Sequence, residues 1–325
     1  MTDTSETELA TADRFDADRY CAANPDVADY VAAGGDARQH FVDYGMAERR
    51  RQMTAEAFDR QAKLPELRYA AFRSILEPLA GAGGDFRFAV CENAFPIVYG
   101  DTAYDLNMYD RESANCGFGP FVEEVRANPN KLYADIGCGR RDAKEDNCLY
   151  LEVYPSVSAD LVMAPSTRYP IASNSLDGIG CFAVLEHVED PWAVVAEFHR
   201  MLKPGGKVFI DWPFLQPVHG YPSHFYNATR DGLRRMFEGR FAIDELDTFP
   251  NQTPAHTLHW ILSVLLGDLA ERAPDTFAKV RDMSVGALAG APPEDALWRG
   301  IVDQLSPETV MALACGNSLI GRKLD

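Results

Sequence analysis

Three stretches of this chain hold residue types at spacings that can do chemistry. The first is Asp135-Ile136-Gly137-Cys138-Gly139-Arg140-Arg141, which closes the apolar run Leu132–Ile136. Glycines at such a turn let the backbone approach a ligand closely, because no Cβ stands in the way. An acid at the strand end can accept hydrogen bonds from an ammonium group. The second is Glu152, at the end of the run Leu149–Val153. A carboxylate there can hold both hydroxyls of a ribose, although a surface glutamate before the turn Tyr154-Pro155 reads the same way. The third is a proline- and aromatic-rich loop from Asp211 to Thr229, with His219, His224 and Tyr226 on it. Histidines and aromatics on a loop after a strand suit an acceptor site; a rigid loop covering the sheet edge is the alternative. Histidine is the side chain that takes a proton near neutral pH. His219 and His224 are the first candidates for a base, with His187 and Tyr226 behind them.

These residues need a scaffold. Ahead of the loop lie Tyr169–Asp177, Ala183-Val184-Leu185-Glu186-His187-Val188-Glu189-Asp190-Pro191 and Met201-Leu202-Lys203-Pro204-Gly205-Gly206. Asp177 opens a strand. Asp190 caps a helix, with Pro191 at its first position, and Trp192, Val195, Phe198 and Leu202 mark the buried face. Pro204-Gly205-Gly206 ends that helix and turns the chain into a strand. Apolar runs at 132–136, 149–153, 178–184 and 207–212, mixed with helices, predict a parallel sheet with helices on its faces. In such a sheet ligands bind outside the carboxyl ends of the strands. About a dozen residues join the first two runs, so a crossover helix there must be very short or absent.

Asp-x-Gly-x-Gly, then Leu-Glu-His-Val-x-Asp-Pro, then Leu-Lys-Pro-Gly-Gly, in this order and spacing, resemble the type 11 group of class I S-adenosylmethionine-dependent methyltransferases. The resemblance runs from about 132 to 241, a third of the chain. It implies an α/β, Rossmann-like fold with a mostly parallel central sheet, and S-adenosylmethionine as cofactor. It puts Asp135, Gly137, Cys138 and Gly139 at the methionine end of that cofactor, Glu152 with Val153 at the ribose, and the segment Ala183–His187, including Leu185, toward the sulfonium and the acceptor. Two positions depart from the pattern. Arg141 stands where the group often has a third glycine, and no acid for the adenine amine occurs near Ala164 or Pro165, which leaves adenine to backbone groups. The segment Pro213-Phe214 through His219-Gly220-Tyr221-Pro222 resembles a methyltransferase subgroup found near bacterial glycan-synthesis genes. Two rivals stay open: a catalytically degenerate binding protein of the same fold, and an NAD(P)-dependent Rossmann enzyme. Against the second, Asp142 stands where a pyrophosphate loop needs its third glycine.

The flanks read as helical. Residues 1–12 suggest a disordered polar tail. From Phe15 to Arg51, Asn24-Pro25-Asp26 reads as an N-cap, a first-turn proline and an acid; Val27, Tyr30 and Val31 follow at helical spacing, Gly34-Gly35 stops the helix, and 37–46 start another. This segment resembles a short helical motif that precedes many bacterial glycosyltransferase and surface-polysaccharide proteins; a cap packed on the main domain reads the same. Residues 54–80 predict helix with a break at Pro65 and with Leu64, Leu67, Ala70, Phe72 and Ile75 as packing positions. Residues 86–90 and 95–99 predict a strand pair, 120–128 a helix, and 257–305 a helical tail whose Leu258, Ile261, Leu262, Leu265 and Leu269 share one stripe. Strand-like pieces are expected at 310–314 and 318–322. The division expected is 1–60 for the tail and module and 61–325 for the main domain.

The 325 residues, 46% hydrophobic, suffice for such a core. With 49 acidic against 31 basic residues the net charge is -18, which repels phosphate backbones and anionic membranes. The expected partner is a small-molecule or glycan acceptor rather than nucleic acid. Seven cysteines without a Cys-x-x-Cys pair, and histidines without His-Glu-x-x-His spacing, argue against a disulfide framework and a metal site. The acidic start does not resemble a signal peptide and no apolar stretch is long enough to span a bilayer, so a reduced, cytoplasmic protein is expected.

Overall fold

A computed structural model describes residues 6–76, 86–100, 118–165, 168–220, 223–316, 318 and 322. The chain divides into two compact units, Met1–Ser74 with Phe86–Val98, and Ile75–Asp85 with Tyr99–Asp325.

In the first unit, strand β1 (Thr7–Leu9) pairs antiparallel with β2 (Arg51–Met53), Thr7 facing Met53. Part of the stretch expected as a loose tail is therefore a strand, because its partner arrives some forty residues later and local reasoning has no access to it. Between the strands lie helices α1 (Ala17–Ala23), α2 (Pro25–Ala32) and α3 (Ala37–His40), the last running on into a π-helical turn at Phe41–Gly45. Pro25 opens α2 as expected, but the Asn24 side chain does not cap it. Instead its Nδ2 donates to the carbonyls of Tyr20 and Arg51, at 2.7 and 2.8 Å. The core is Tyr20, Val27, Ala37 and Phe41, with Phe15 stacked on Phe41; Tyr30 faces outward. Helix α4 (Ala55–Phe72) runs through Pro65 without a break. Its buried side is Ala57, Arg68 and Phe72, while Leu67 and Ala70 are exposed. Strands β3 (Phe86–Phe88) and β4 (Ile97–Tyr99) are hydrogen-bonded neighbours.

The second unit opens with α5 (Gly119–Ala127). Strands β5 (Tyr133–Ile136), β6 (Cys148–Glu152), β7 (Leu161–Met163), β8 (Leu176–Phe182) and β9 (Leu202–Asp211) follow, with α6 (Pro191–Met201) between the last two. All pairings among the five strands are parallel, in the order β7-β6-β5-β8-β9. Counted along the chain this is 3-2-1-4-5, the order of the doubly wound Rossmann-like sheet, whose direction of winding reverses between β5 and β8. Strands β5, β6 and β7 are buried along their whole length, as strands covered on both faces are, whereas β9 is buried only at Leu202. No helix joins β5 to β6. Asp190 caps α6, accepting from the Ala193 N–H at 3.0 Å. Val195 and Phe198 are buried as expected, but Trp192 is half exposed. Strand β7, three residues long, has no counterpart among the sequence-predicted elements.

The C-terminal part is helical: α7 (Arg230–Phe237), α8 (Pro254–Arg272), α9 (Pro274–Arg281), α10 (Val285–Gly290), α11 (Ala296–Val302) and α12 (Pro307–Ala312). Leu265 and Leu269 join Val280 and Ile301 in a small core, whereas Leu258 and Leu262 are exposed. Helix α12 replaces the strand-like piece expected at 310–314: Ser306 caps it through the Thr309 N–H and Pro307 sets its first turn. The second such piece, 318–322, lies almost wholly outside the described residues. Among the described residues the cysteines are unpaired, and no helix is long and apolar enough to cross a membrane.

The module core makes a specific prediction. A Cβ at Gly45 would run into the Tyr20 hydroxyl. Gly45→Ala is expected to destabilise the first unit by about 1–3 kcal/mol through overpacking, and Tyr20→Phe in the same chain to restore more than half of that. Denaturant unfolding of the single and double variants of the full chain checks it; equal midpoints for Gly45→Ala with and without Tyr20→Phe would contradict the contact.

Candidate active site

Strands β5 and β6 run in register with Tyr133 opposite Cys148 and Asp135 opposite Tyr150. Side chains alternate faces along a strand, so Asp135 and Glu152 lie on the same face, with α5 over it. After β5 the chain turns at Gly137 (φ 67°) and Gly139 (φ 55°), a conformation that glycine adopts without strain. Gly137 has a second reason to be glycine: its Cβ would collide with the Val184 side chain.

Glu152 is buried and accepts the Gly139 N–H and the Val153 N–H, each at 2.8 Å. Burial pushes its carboxyl up to about 7; these two backbone donors offset part of the rise, and the nearby Asp135 adds to it. Asp135 is also buried, and burial raises its carboxyl too. Opposing that rise, the Arg141 guanidinium pairs with it in a two-pronged contact, Nε to Oδ2 at 2.8 Å and Nη2 to Oδ1 at 3.1 Å. The space beside Asp135 is thus not free of side chains, as the glycine turn alone suggests. Arg141 lies in it, while Arg140 is exposed. A hollow of about 220 Å³ remains, lined by Asp135, Arg140, Arg141, Phe121, Tyr150 and Phe182 among others. That is smaller than the roughly 300–1,000 Å³ of typical small-molecule pockets. Cys138 is buried, and its N–H donates to the Leu151 carbonyl at 2.9 Å. The Ala164 N–H is bonded to the Tyr99 carbonyl at 3.2 Å, so that amide is not available to a ligand. With no helix after the β5 turn, nothing presents a helix N-terminus to a pyrophosphate there.

A second cluster stands at the end of β8. Ala183 takes a left-handed conformation (φ 54°) with its N–H on the Asp211 carbonyl at 2.9 Å. Holding a side-chain-bearing residue there costs roughly 1–2 kcal/mol, and it redirects the chain into a short turn, Leu185–His187. Leu185 is buried. Glu186 is fully buried, and neither carboxylate oxygen has a hydrogen-bond partner. Burial pushes its carboxyl up to about 8. The thiol of Cys181 is raised by burial first and then by Glu186, Asp135 and Glu152.

The loop after β9 folds onto that turn. The N–H groups of Phe225 and Tyr226 donate to the Glu186 carbonyl at 2.6 and 3.3 Å, and Gly220 (φ 81°) leaves room for the His187 ring. His187, His219 and His224 converge, with ring centroids 4.6 to 5.5 Å apart. Burial depresses His187 to about 4 and lowers His219 as well. The helical tail steadies the loop: the Val218 N–H reaches the Ala312 carbonyl at 3.1 Å and His219 lies against Trp260. Tyr226 is oriented otherwise, its hydroxyl donating to the Glu189 carbonyl at 3.1 Å. Sequence reasoning brought out the three histidines and placed Glu186 within the segment Ala183–His187 without giving it a role of its own, and it passed over Arg141 as a partner of Asp135.

Residues 116–210 match the family model described as methyltransferase domain. The chain is 23% identical over 218 residues to an uncharacterized 37.1 kDa protein in transposon TN4556 of Streptomyces fradiae, covering 57% of this chain and 62% of that one. It is 29% identical over 121 residues to a ubiquinone biosynthesis O-methyltransferase of Parvibaculum lavamentivorans, covering 31% of this chain and 48% of that one. The chain thus spans less than two thirds of either relative. Among solved structures, a Haemonchus contortus phosphoethanolamine N-methyltransferase 2 aligns over 57% of this chain and 48% of its own at 17% identity, with a TM-score of 0.30. That score is too low to carry an argument, and the segment 116–210 is where the likeness to methyltransferases resides.

Proposed function

We propose that this chain is an S-adenosylmethionine-dependent methyltransferase acting on a small-molecule acceptor, with a glycan of bacterial surface-polysaccharide synthesis as the finer reading. The observation that carries it is the pair of buried carboxylates, Asp135 and Glu152, on one face of the sheet around a Gly137–Gly139 turn, at the point where a 3-2-1-4-5 sheet reverses. The matched methyltransferase segment supports it. When bound, the cofactor supplies a methyl group already activated on a sulfonium.

The chain's own residues divide the remaining work. Glu152 would hold the ribose hydroxyls, and the glycine turn leaves the backbone open to close approach. Asp135 and Arg141 are opposite charges in contact, which suits the ammonium and carboxylate of an amino-acid end if the pair opens to take one on each. The acceptor's proton falls to the histidine cluster, where low pKa values keep His187 and His219 neutral and able to accept at pH 7. The helical tail and the 213–229 loop would hold the acceptor in line and keep water out.

A second reading has one specific observation behind it. Arg141 sits on the acid that would receive the cofactor, as expected of a fold that has lost its donor site and binds without turnover. Arg141→Met separates the two. On the catalytic reading S-adenosylhomocysteine binding, measured by calorimetry, weakens at least tenfold; tighter or unchanged binding makes Arg141 a plug and favours the degenerate protein.

Two further outcomes are expected. Glu152 is held above its ordinary value of 4.5, at about 7. Its contribution to stability is therefore complete below about pH 4.5 and is lost as pH rises through about 7. Glu152→Gln should flatten the decline of the thermal midpoint between pH 5 and 8 and weaken S-adenosylhomocysteine binding tenfold or more; an unchanged pH profile would place the carboxyl outside the buried site. His219→Ala and His224→Ala should each retain cofactor binding but slow transfer of labelled methyl into glycan or small-molecule extracts by more than tenfold. If neither slows it beyond a few fold, the histidine loop does not receive the proton.

A further inference from the structure

The histidine cluster contains a feature that proton transfer alone does not explain. Glu186 is fully buried, yet both carboxylate oxygens lack a hydrogen-bond partner. A buried carboxylate is normally paired, hydrogen-bonded or bound to a metal. The nearest group of complementary type is His187, whose Nε2 stands 3.8 Å from Glu186 Oε1.

The tautomers follow from the partners. His187 Nδ1 lies 2.8 Å from the Ser223 carbonyl, and His219 Nδ1 lies 2.8 Å from the Pro217 carbonyl. A carbonyl only accepts, so Nδ1 carries the hydrogen in both rings, and each neutral ring has its lone pair on Nε2. Backbone carbonyls that fix Nδ1–H in this way are the usual outer support of metal-binding histidines. His224 has the opposite arrangement. Its Nδ1 accepts the His219 N–H at 3.3 Å and its Nε2 donates to Asn227 Oδ1 at 2.7 Å, so both nitrogens are engaged. One ligand atom each from Glu186, His187 and His219 fall within 4.8 Å of one another. Two ligands bonded to one ion at about 2.1 Å stand roughly 3.4 Å apart in tetrahedral geometry, so the set closes on an ion with shifts of about an ångström. His219, on a loop, is the member free to make them.

We propose that Glu186, His187 and His219 form a binding site for a divalent transition metal, zinc first, with His224 as a neighbour that does not ligate. Two imidazoles and one carboxylate suit zinc and leave a coordination position open, as catalytic rather than structural zinc sites do. The dication would compensate a buried carboxylate that has no other partner. A single ligand pair adjacent in sequence, with the third thirty-two residues on in a loop, matches no spacing motif, and the expectation of no metal site rested on spacing alone. The cluster forms only because Ala183 turns the chain after β8 and because Gly220 lets the loop press on His187. Zinc binding does not require that the chain transfer methyl groups, but an ion held on both Nε2 atoms takes the lone pairs through which His187 and His219 would accept a proton, so the two roles exclude each other.

The test is zinc binding by the tag-free full chain in a Cys91→Ser, Cys315→Ser background, which removes the exposed thiols among the described residues. After treatment with a chelator and dialysis against zinc, elemental analysis should find one zinc per chain. Calorimetric titration with zinc chloride should show at least tenfold weaker binding for His219→Ala and for Glu186→Gln, and a change below threefold for His224→Ala. Cobalt(II) should give visible d–d absorption that His219→Ala lacks; because His219 is on a loop, this variant is expected to keep the circular dichroism of the parent. Less than a tenth of an equivalent of zinc, or zinc retained in full by His219→Ala, overturns the proposal. A His224→Ala loss as large as that of His219→Ala overturns the ligand set.

Discussion

The second unit depends on one close approach. Strands β5 and β8 are paired in parallel from Tyr133–Gly178 to Ile136–Cys181, and the chains that leave their carboxyl ends must pass each other at once. They do so because Gly137 has no Cβ where the Val184 side chain stands. With that contact in place, the β5 turn folds back over Glu152 and the β8 turn sends Glu186 inward. A methyl group at 137 would push one of the two away, and either shift would separate the acids from the loops that cover them.

The cost of the arrangement is electrostatic. Asp135, Glu152 and Glu186 are all buried, and their fields overlap at Cys181. Burial raises each carboxyl, and a neighbouring acid adds to the rise at Glu152, from Asp135, and at Glu186, from Asp211. Two different remedies are visible: Asp135 has the Arg141 guanidinium and Glu152 has two backbone N–H donors, whereas the Glu186 carboxylate has no hydrogen-bond partner. Strongly perturbed groups gathered in one place are what a reactive centre requires, since structural packing alone gives no reason to keep an unsatisfied acid in a core.

Much of this was legible from sequence, and the limits have physical causes. The parallel sheet, the cap at Asp190 and the missing helix between β5 and β6 follow from periodicity, cap chemistry and chain length, all local properties. Strand β7 is only three residues long, too short to carry a period. The β1 pairing with β2, and the pairing of Arg141 with Asp135, depend on the fold returning the chain to itself, which no window of neighbouring residues records. Trp192, Leu67, Leu258 and Leu262 were placed on apolar stripes by spacing, yet they are exposed. Spacing gives the stripe of a helix but not how much of it another element covers. The approach of His219 to Glu186 and His187 is likewise a property of the loop path, not of the residue interval.

The missing crossover helix explains why Arg141 lies where it does. A helix after β5 would satisfy its own backbone and bury an apolar face against the sheet. The loop that replaces it must find partners for exposed backbone groups, and polar side chains supply them. The Arg141 N–H donates to Ser158 Oγ at 2.8 Å, the Glu145 N–H to the Tyr150 hydroxyl at 2.8 Å, and Ser156 Oγ donates to the Gly139 carbonyl at 3.0 Å. Lys144 pairs with the buried Asp160 at 2.5 Å, which in turn accepts the Tyr150 N–H at 3.0 Å. Arg141 extends this network inward to Asp135. It is therefore part of what holds the turn as well as a charge inside it. A ligand that drew the guanidinium off Asp135 would still leave the turn anchored by Ser156, Ser158 and Lys144, so the site can open at one contact without losing the loop that shapes it.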